Sequence, residues 1–380
     1  MNSQNSYPEP NTERLLEDFL TLVQIDSLSY HEATIANWIK DKLSQFGCEV
    51  LFDKTTEITG SNTGNMIATF PATPGLSGKL FFSTHMDTVG PGQGIEPVIN
   101  DGILSSKGKT ILGGDDKVGI AAIIEMVRTL AETKTPHPEI VMLFSVAEEV
   151  GLKGSSAMDG EALGFNGEPC FVLDADGKPG GVIIGAPFHV EFTARFIGKA
   201  VHAGMAPETG VSAINMAAKA ITAIPLGRID AISTSNIGTI NGGAANNIVA
   251  DSCTVTGEMR SLEKARLDEI QAQIAQTIED TAIEGGGQVQ TEFVLAYHGF
   301  KLSENDIPVR LVLEAAQDLG LSTETRYTGG GSDANIFAGK GLSPVVLSTG
   351  MTAIHSLDES LAISDMEDLT RLIIAIAARY

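Results

Sequence analysis

The chain has 380 residues, 43% of them hydrophobic and 19% charged, which is enough apolar matter for real cores and excludes disorder as the dominant state. Its 25 basic and 48 acidic residues leave a net charge of −23. Such a chain repels phosphate backbones and anionic lipid surfaces, so neither nucleic acid nor a membrane is an expected partner. Cys48, Cys170 and Cys253 are odd in number and lack CxxC spacing, so neither a disulfide framework nor a thiolate zinc site is expected. No basic-then-apolar leader and no run of about 18 apolar residues occurs, and the expected compartment is the cytoplasm.

In chain order, the first twelve residues read as a frayed lead-in. Helical spacing follows from Glu13 to Phe46, broken at Ser27–Tyr30 and ended by Gly47. Asn65–Phe70 and Lys79–Thr84 read as strands and Asp116–Glu132 as a helix. Ile140–Val146 and Phe171–Leu173 are near-continuous apolar runs, which suit strands covered on both faces. Beyond Pro187 the texture changes. His189–Ile197, Ile237–Thr239, Cys253–Met259 and Gln288–Leu295 read as strands of a half-covered antiparallel sheet. Val211–Ala223 and Lys264–Glu284 read as its helices. After His298 come a helix at Ile307–Leu319, a turn at Gly329–Gly331, a strand at Pro344–Leu347 and a helix at Met366–Ala377. The expected organisation is an α/β domain formed by residues 1–187 and 298–380, with an α+β domain inserted at 188–297.

Residues with chemical potential cluster at the ends of the apolar runs. His85-Met86-Asp87 ends one, Ala147-Glu148-Glu149 another, Asp174 a third, and His355 follows the strand Pro344–Leu347 after a loop. Gly113-Gly114-Asp115-Asp116-Lys117 opens a helix. Open α/β sheets build sites beyond the carboxyl ends of their strands. Taken singly, each residue has a plainer reading. Asp115 or Asp116 would cap a helix, Glu148-Glu149 would be a solvated pair, and His85 would be a packing histidine. Together they place two imidazoles and several carboxylates at one rim, a donor set for zinc or a similar divalent ion. His85, Asp115, Glu149, Asp174 and His355 are enough for a two-metal site, whose ions lie about 3.5–4 Å apart. Asp87 is left to accept the second imidazole N–H of His85, and Glu148 to take a proton from water. Asp176 is an alternative to Asp174.

The succession His85-Met86-Asp87-Thr88-Val89, Gly114-Asp115-Asp116-Lys117, Glu148-Glu149, Asp174 and His355 resembles the M20 family of metallopeptidases, and within it the tripeptide aminopeptidase branch. The resemblance spans nearly the whole chain. It implies a zinc-peptidase-like α/β catalytic domain with an inserted α+β lid and dimerisation domain. It implies His85, Asp115 and Asp174 around one Zn2+, and Asp115, Glu149 and His355 around the other, with Co2+ or Mn2+ as substitutes. It further implies Glu148 as general base, Asp87 orienting His85, and a cis peptide at Asp115–Asp116. His202 would contact the reacting centre, in cis or from a partner subunit. Asn247, Arg260 and the glycine-rich turn at Gly330 would hold the substrate. The implied activity is release of the N-terminal residue from short peptides, by a protein that can pair through its inserted domain. Dipeptidase, carboxypeptidase and N-acyl-amino-acid deacylase are the neighbouring alternatives. A two-metal phosphoesterase and a non-catalytic peptide- or metal-binding protein are remote ones.

Overall fold

The structure is a computed structural model and describes residues 7–380. By contacts the chain divides into two compact units. The first takes the residues up to Gly185, Leu302–Tyr327 and Ser332–Tyr380; the second takes Ala186–Lys301 and Thr328–Gly331.

The first unit is built on a mixed sheet. Its strands run in the order Glu49–Phe52, Met66–Phe70, Glu139–Ser145, Lys79–His85, Pro169–Ala175, Ser343–Ser348 and Gly181–Ala186, with Glu324–Tyr327 also paired to the last. Lys79–His85 lies parallel to Glu139–Ser145 on one side and to Pro169–Ala175 on the other, and His85 stands level with Ser145. The carboxyl ends of three neighbouring parallel strands therefore come out together, because side chains such as Phe81, Phe82, Phe144 and Phe171 bury the strands on both faces. The sheet is not parallel throughout. Met66–Phe70 pairs antiparallel with Glu139–Ser145, and Gly181–Ala186 antiparallel with Ser343–Ser348.

The helix Gly114–Thr133 is buried along nearly its whole length, with Val118, Ile120, Ile123, Ile124 and Val127 among its fully covered residues. Its charged residues up to Arg128 are buried with it, and those beyond its first turn are paired, Glu125 with Arg14 at 2.8 Å and Arg128 with Asp18. It packs with Thr12–Gln24 and Ile363–Arg379. Its regular turns begin after Asp116, since Asp115 and Asp116 have non-helical backbone angles and are joined by a cis peptide. A separate small antiparallel sheet joins Pro97–Asn100, Ile103–Ser106, Ser360–Ala362 and Met351–Thr352.

The frayed lead-in expected for the first twelve residues falls in part on residues 1–6, outside the described residues. The remainder is anchored. Asn11 caps the helix Thr12–Gln24, the Tyr7 hydroxyl donates to Asp318 at 2.8 Å, and Arg371 pairs with Glu9 at 2.5 Å. Polar composition alone misses such long-range anchors.

The second unit is an antiparallel sheet in the order Gly227–Asp230, Ser233–Gly242, Ser252–Ser261, Phe188–Ile197 and Gln288–Tyr297. Ala213–Ala223 and Lys264–Glu284 cover one face. Leu267, Ile270, Ile274 and Ile278 recur every three or four residues and are buried, each contributing about 1.5–3 kcal/mol. They meet Val190, Phe192, Ala194 and Phe196 of the sheet in a core of their own.

Candidate metal centre

The five sequence-nominated ligands all lie in the first unit, and their donor atoms converge. His85 ends its strand with Nε2 3.0 Å from Asp115 Oδ1 and 3.8 Å from Asp174 Oδ1. His355 Nε2 lies 3.0 Å from Asp115 Oδ2 and 2.8 Å from Glu149 Oε1. Asp115 thus faces one imidazole with each oxygen. Asp174 is still within its strand, next to the last residue, whereas Asp176 is turned away into an ion pair with Arg326 at 2.5 Å. His355 does not directly follow the strand Ser343–Ser348. It sits in the loop of the hairpin formed by Met351–Thr352 and Ser360–Ala362, with φ +61°.

Asp87 lies beside His85 Nδ1 with both its main chain and its side chain. The atom nearest His85 Nδ1 is the Asp87 main-chain carbonyl at 2.8 Å, while the carboxylate is 3.5 Å away. This carbonyl accepts the Nδ1 proton, so Nε2, which faces Asp115 and Asp174, is the nitrogen that would be free to bind an ion. The Asp87 carboxylate has further partners. It accepts the main-chain N–H of Glu148 at 2.9 Å, that of Glu149 at 3.2 Å, and the Ser29 hydroxyl at 2.6 Å. Sequence spacing shows that a carboxylate is near His85; only the folded loop shows that it grips the main chain of the Glu148–Glu149 pair.

That grip extends to residues the sequence reading passed over. Asn65 Oδ1 accepts Val146 N–H at 3.1 Å and Glu32 Oε1 accepts Ala147 N–H at 2.9 Å. Four successive amides, from Val146 to Glu149, are therefore held by three side chains that are essentially covered. Asp333, the first residue of the helix Asp333–Gly339, accepts from the hydroxyls of Ser145 and Ser155, on either side of the same loop. A carboxylate that accepts main-chain N–H bonds carries no local sequence signal, so only the tertiary structure reveals these partners.

The electrostatics are those of a site made for cations. Burial pushes the carboxyls of Glu148 and Asp174 well up, and neighbouring acids add to it: Asp333 and Glu149 for Glu148, Asp115 and Glu148 for Asp174. Asp116 is fully buried and also pushed well up by burial, and neither of its oxygens meets a donor among the described residues. The hydrogen bonds that His355 donates to Asp115 and Glu149 push it up to about 10. For His85, burial pulls down, but Asp115 and Asp87 outweigh it and the net shift is well upward. Lys117, wholly covered, donates to the Ile25 carbonyl at 2.8 Å, and burial lowers it to about 7.

Tetrahedral zinc with bonds of about 2.0–2.1 Å holds its ligand atoms about 3.3 Å apart. The observed separations of 2.8–3.8 Å fall around that value. The nitrogen and carboxylate donors, the crowding of buried acids and the orphaned Asp116 all fit divalent ions at this place.

The substrate-side candidates lie in the second unit. His202 is exposed and forms an isolated bridge with Ile248, and Ala203 N–H donates to the carbonyl of Asn247, itself exposed, at 2.9 Å. Arg260 is half-buried. It pairs with Glu258 at 2.9 Å and donates to the Gly329 carbonyl at 3.1 Å, beside the exposed Gly330. Two pairs are thus brought together within that unit: His202 with the Asn247 segment, and Arg260 with the glycine-rich turn.

The chain as a whole is similar to known peptidases. Residues 186–286 match the model of a peptidase dimerisation domain, and residues 65–163 that of peptidase family M28. The crystal structure of aminopeptidase PepT from Bacillus cereus superposes with a TM-score of 0.92 at 41% identity, covering 97% of this chain and 98% of that one. A tripeptidase from Staphylococcus aureus also reaches 0.92, at 37% identity over 98% of this chain and 100% of its own. The uncharacterized protein YqjE of Bacillus subtilis is 40% identical over 96% of this chain and 98% of its own. With such matches over nearly all of its length and a dimerisation-domain match in its second unit, the chain belongs to the M20 family of metal-dependent peptidases, in its peptidase T branch.

Proposed function

We propose that the protein is an aminopeptidase that releases the N-terminal residue of tripeptides, using two zinc ions. The observation that carries this reading is the Asp115 carboxylate, with one oxygen 3.0 Å from each of two imidazoles. A bridging carboxylate between two such half-sites is what a pair of divalent ions requires. His85, Asp115 and Asp174 would hold one ion, and Asp115, Glu149 and His355 the other.

When bound, the ions supply Lewis acidity for the scissile carbonyl and acidify water. The chain's own residues do the rest. Glu148 is covered, its main chain is fixed by Asp87, and burial has raised its proton affinity. It takes a proton from the attacking water and passes it to the leaving amine nitrogen. Asp87 keeps His85 in one tautomer and holds the Glu148 and Glu149 amides in place. His202, Asn247, Arg260 and the turn at Gly330 are assigned to the substrate, with His202 donating to the oxyanion.

We further propose that the protein pairs with a second copy through the second unit, the part matched by the dimerisation-domain model. We place it in the cytoplasm, where three buried unpaired cysteines persist as thiols. No described helix is long and apolar enough to cross a membrane.

The test is a panel of tripeptides, dipeptides and N-acyl amino acids offered to the zinc-reconstituted protein, with the released end identified. Free N-terminal residues from tripeptides are the expected result. Release from the carboxyl end, or turnover confined to N-acyl amino acids, would overturn the assignment.

A further inference from the structure

Glu359 is 1% exposed, carries no part in the chemistry above, and lies four residues beyond His355. Its carboxylate accepts two main-chain N–H bonds from the turn that presents Asp115: Gly113 N–H to Oε2 at 2.9 Å and Asp115 N–H to Oε1 at 3.2 Å. The turn is shaped for it. Gly113 has φ +71°, and a Cβ at Gly114 would stand only 3.1 Å from Glu359 Oε1. Successive amides pointing into one concavity form an anion cradle, here filled by the chain's own carboxylate.

Apart from the contacts of His355 itself with Asp115 and Glu149, the loop that carries it is sparsely held. It runs from Ala353 to Glu359, between the paired strands Met351–Thr352 and Ser360–Ala362. The bonds within it are short-range: the Ser356 hydroxyl to the Ala353 carbonyl at 2.7 Å, Asp358 N–H to Ser356 Oγ at 3.2 Å, and Glu359 N–H to the Ser356 carbonyl at 3.2 Å. Ala353 and His355 both have positive φ, and the His355 side chain is 45% exposed. A histidine in such a loop keeps its place only if the base of the loop is fixed.

We propose that Glu359 is a positioning residue of the metal centre: it docks the His355 loop onto the Gly113–Asp115 turn, and so sets His355 against Asp115. The inference rests on the two-metal reading. Its consequence falls most on the ion that needs both His355 and Asp115, and less on the other, which shares Asp115 but keeps His85 and Asp174 on strands independent of this loop.

Glu359→Gln keeps the size but offers one acceptor oxygen where two N–H groups need one. Glu359→Asp keeps the charge but is one methylene too short to reach both amides. Zinc binding is followed in the metal-free full-length protein by competition with a chelating dye. Cooperative melting of each metal-free variant checks its fold, and His355→Ala serves as reference. The wild type is expected to take up two ions. In the folded Glu359 variants the weaker ion is expected to lose about 10–100-fold in affinity, approaching the His355→Ala profile, while the tighter ion changes much less. Two ions bound by a variant with wild-type affinities would overturn the role of Glu359 alone, and so would equal weakening of both. Fewer than two ions in the wild type would sink the two-metal reading instead.

Discussion

In the first unit the candidate chemical groups are mostly covered and tied to one another; in the second, His202, Asn247 and Gly330 are exposed, and only Arg260 is half-buried. His85, Asp87 and Asp115, and the main chain of Glu148, meet neighbours that hold them before any ion or substrate arrives. The exposed residues of the second unit have backbone partners and little else. A buried charged centre is costly to assemble and hence is built rigidly, whereas residues that meet a passing substrate can stay in water until it binds.

The largest test of that contrast is at Glu148. Glu148→Gln removes the proton acceptor and leaves the ligand atoms untouched. Turnover should fall about 10²–10⁴-fold with zinc content unchanged, read by steady-state kinetics and metal analysis. Near-normal turnover would remove Glu148 from the role of base.

Asp87→Ala tests whether the rigid region is held as described. It strands the Glu148 and Glu149 amides, at about 1–3 kcal/mol for each donor left unpaired, and should weaken zinc as well. Chemical denaturation of the metal-free protein measures the first effect and dye competition the second. Unchanged stability would mean that the carboxylate grip is dispensable.

His202→Ala makes the opposite prediction. An exposed side chain contributes little to the fold, so metal-free stability should stay within about 0.5 kcal/mol. The value of kcat/KM should nonetheless fall by about tenfold or more, equivalent to about 1.4 kcal/mol of transition-state stabilisation. A large loss of stability would erase the distinction between the two units.

The smallest effect is the pH dependence of the metal-free protein. Asp115 and Glu149 raise His355 to about 10, above the value near 6.5 of an unfolded histidine. The folded state therefore binds the extra proton between those values. The stability that this ion pair contributes is fully present below about pH 6.5 and is lost as pH rises through about 10. Melting curves of the chelated protein should show this decline, and His355→Ala should lack it. Zinc competes with the same proton, so its uptake should release protons across that window.

Much of the first unit was legible residue by residue. The apolar runs at Lys79–His85, Glu139–Ser145 and Pro169–Ala175 announce covered strands, and ligand-type residues at their ends announce a rim. The helices Lys264–Glu284 and Ile307–Leu319 follow from apolar periodicity alone. The short strands Glu49–Phe52, Pro97–Asn100, Ile103–Ser106 and Glu324–Tyr327 were not visible. Each is four residues long and largely uncovered, too little for alternation to register. Glu32 and Glu359 were equally silent, because a lone glutamate on a polar stretch looks the same whether it faces water or a main-chain amide.

What the sequence determined by itself was the inventory and its rough address: two imidazoles and a set of carboxylates at the ends of covered strands, and a second unit of alternating strands with two helices. Local pattern suffices for that, because burial and periodicity are written along the chain. Tertiary structure decided how the inventory is used. It set Asp115 between His85 and His355, turned Asp176 toward Arg326, and gave the Asp87 carboxylate to the Glu148 and Glu149 amides. Those choices depend on contacts between segments tens to hundreds of residues apart, and no local period encodes them.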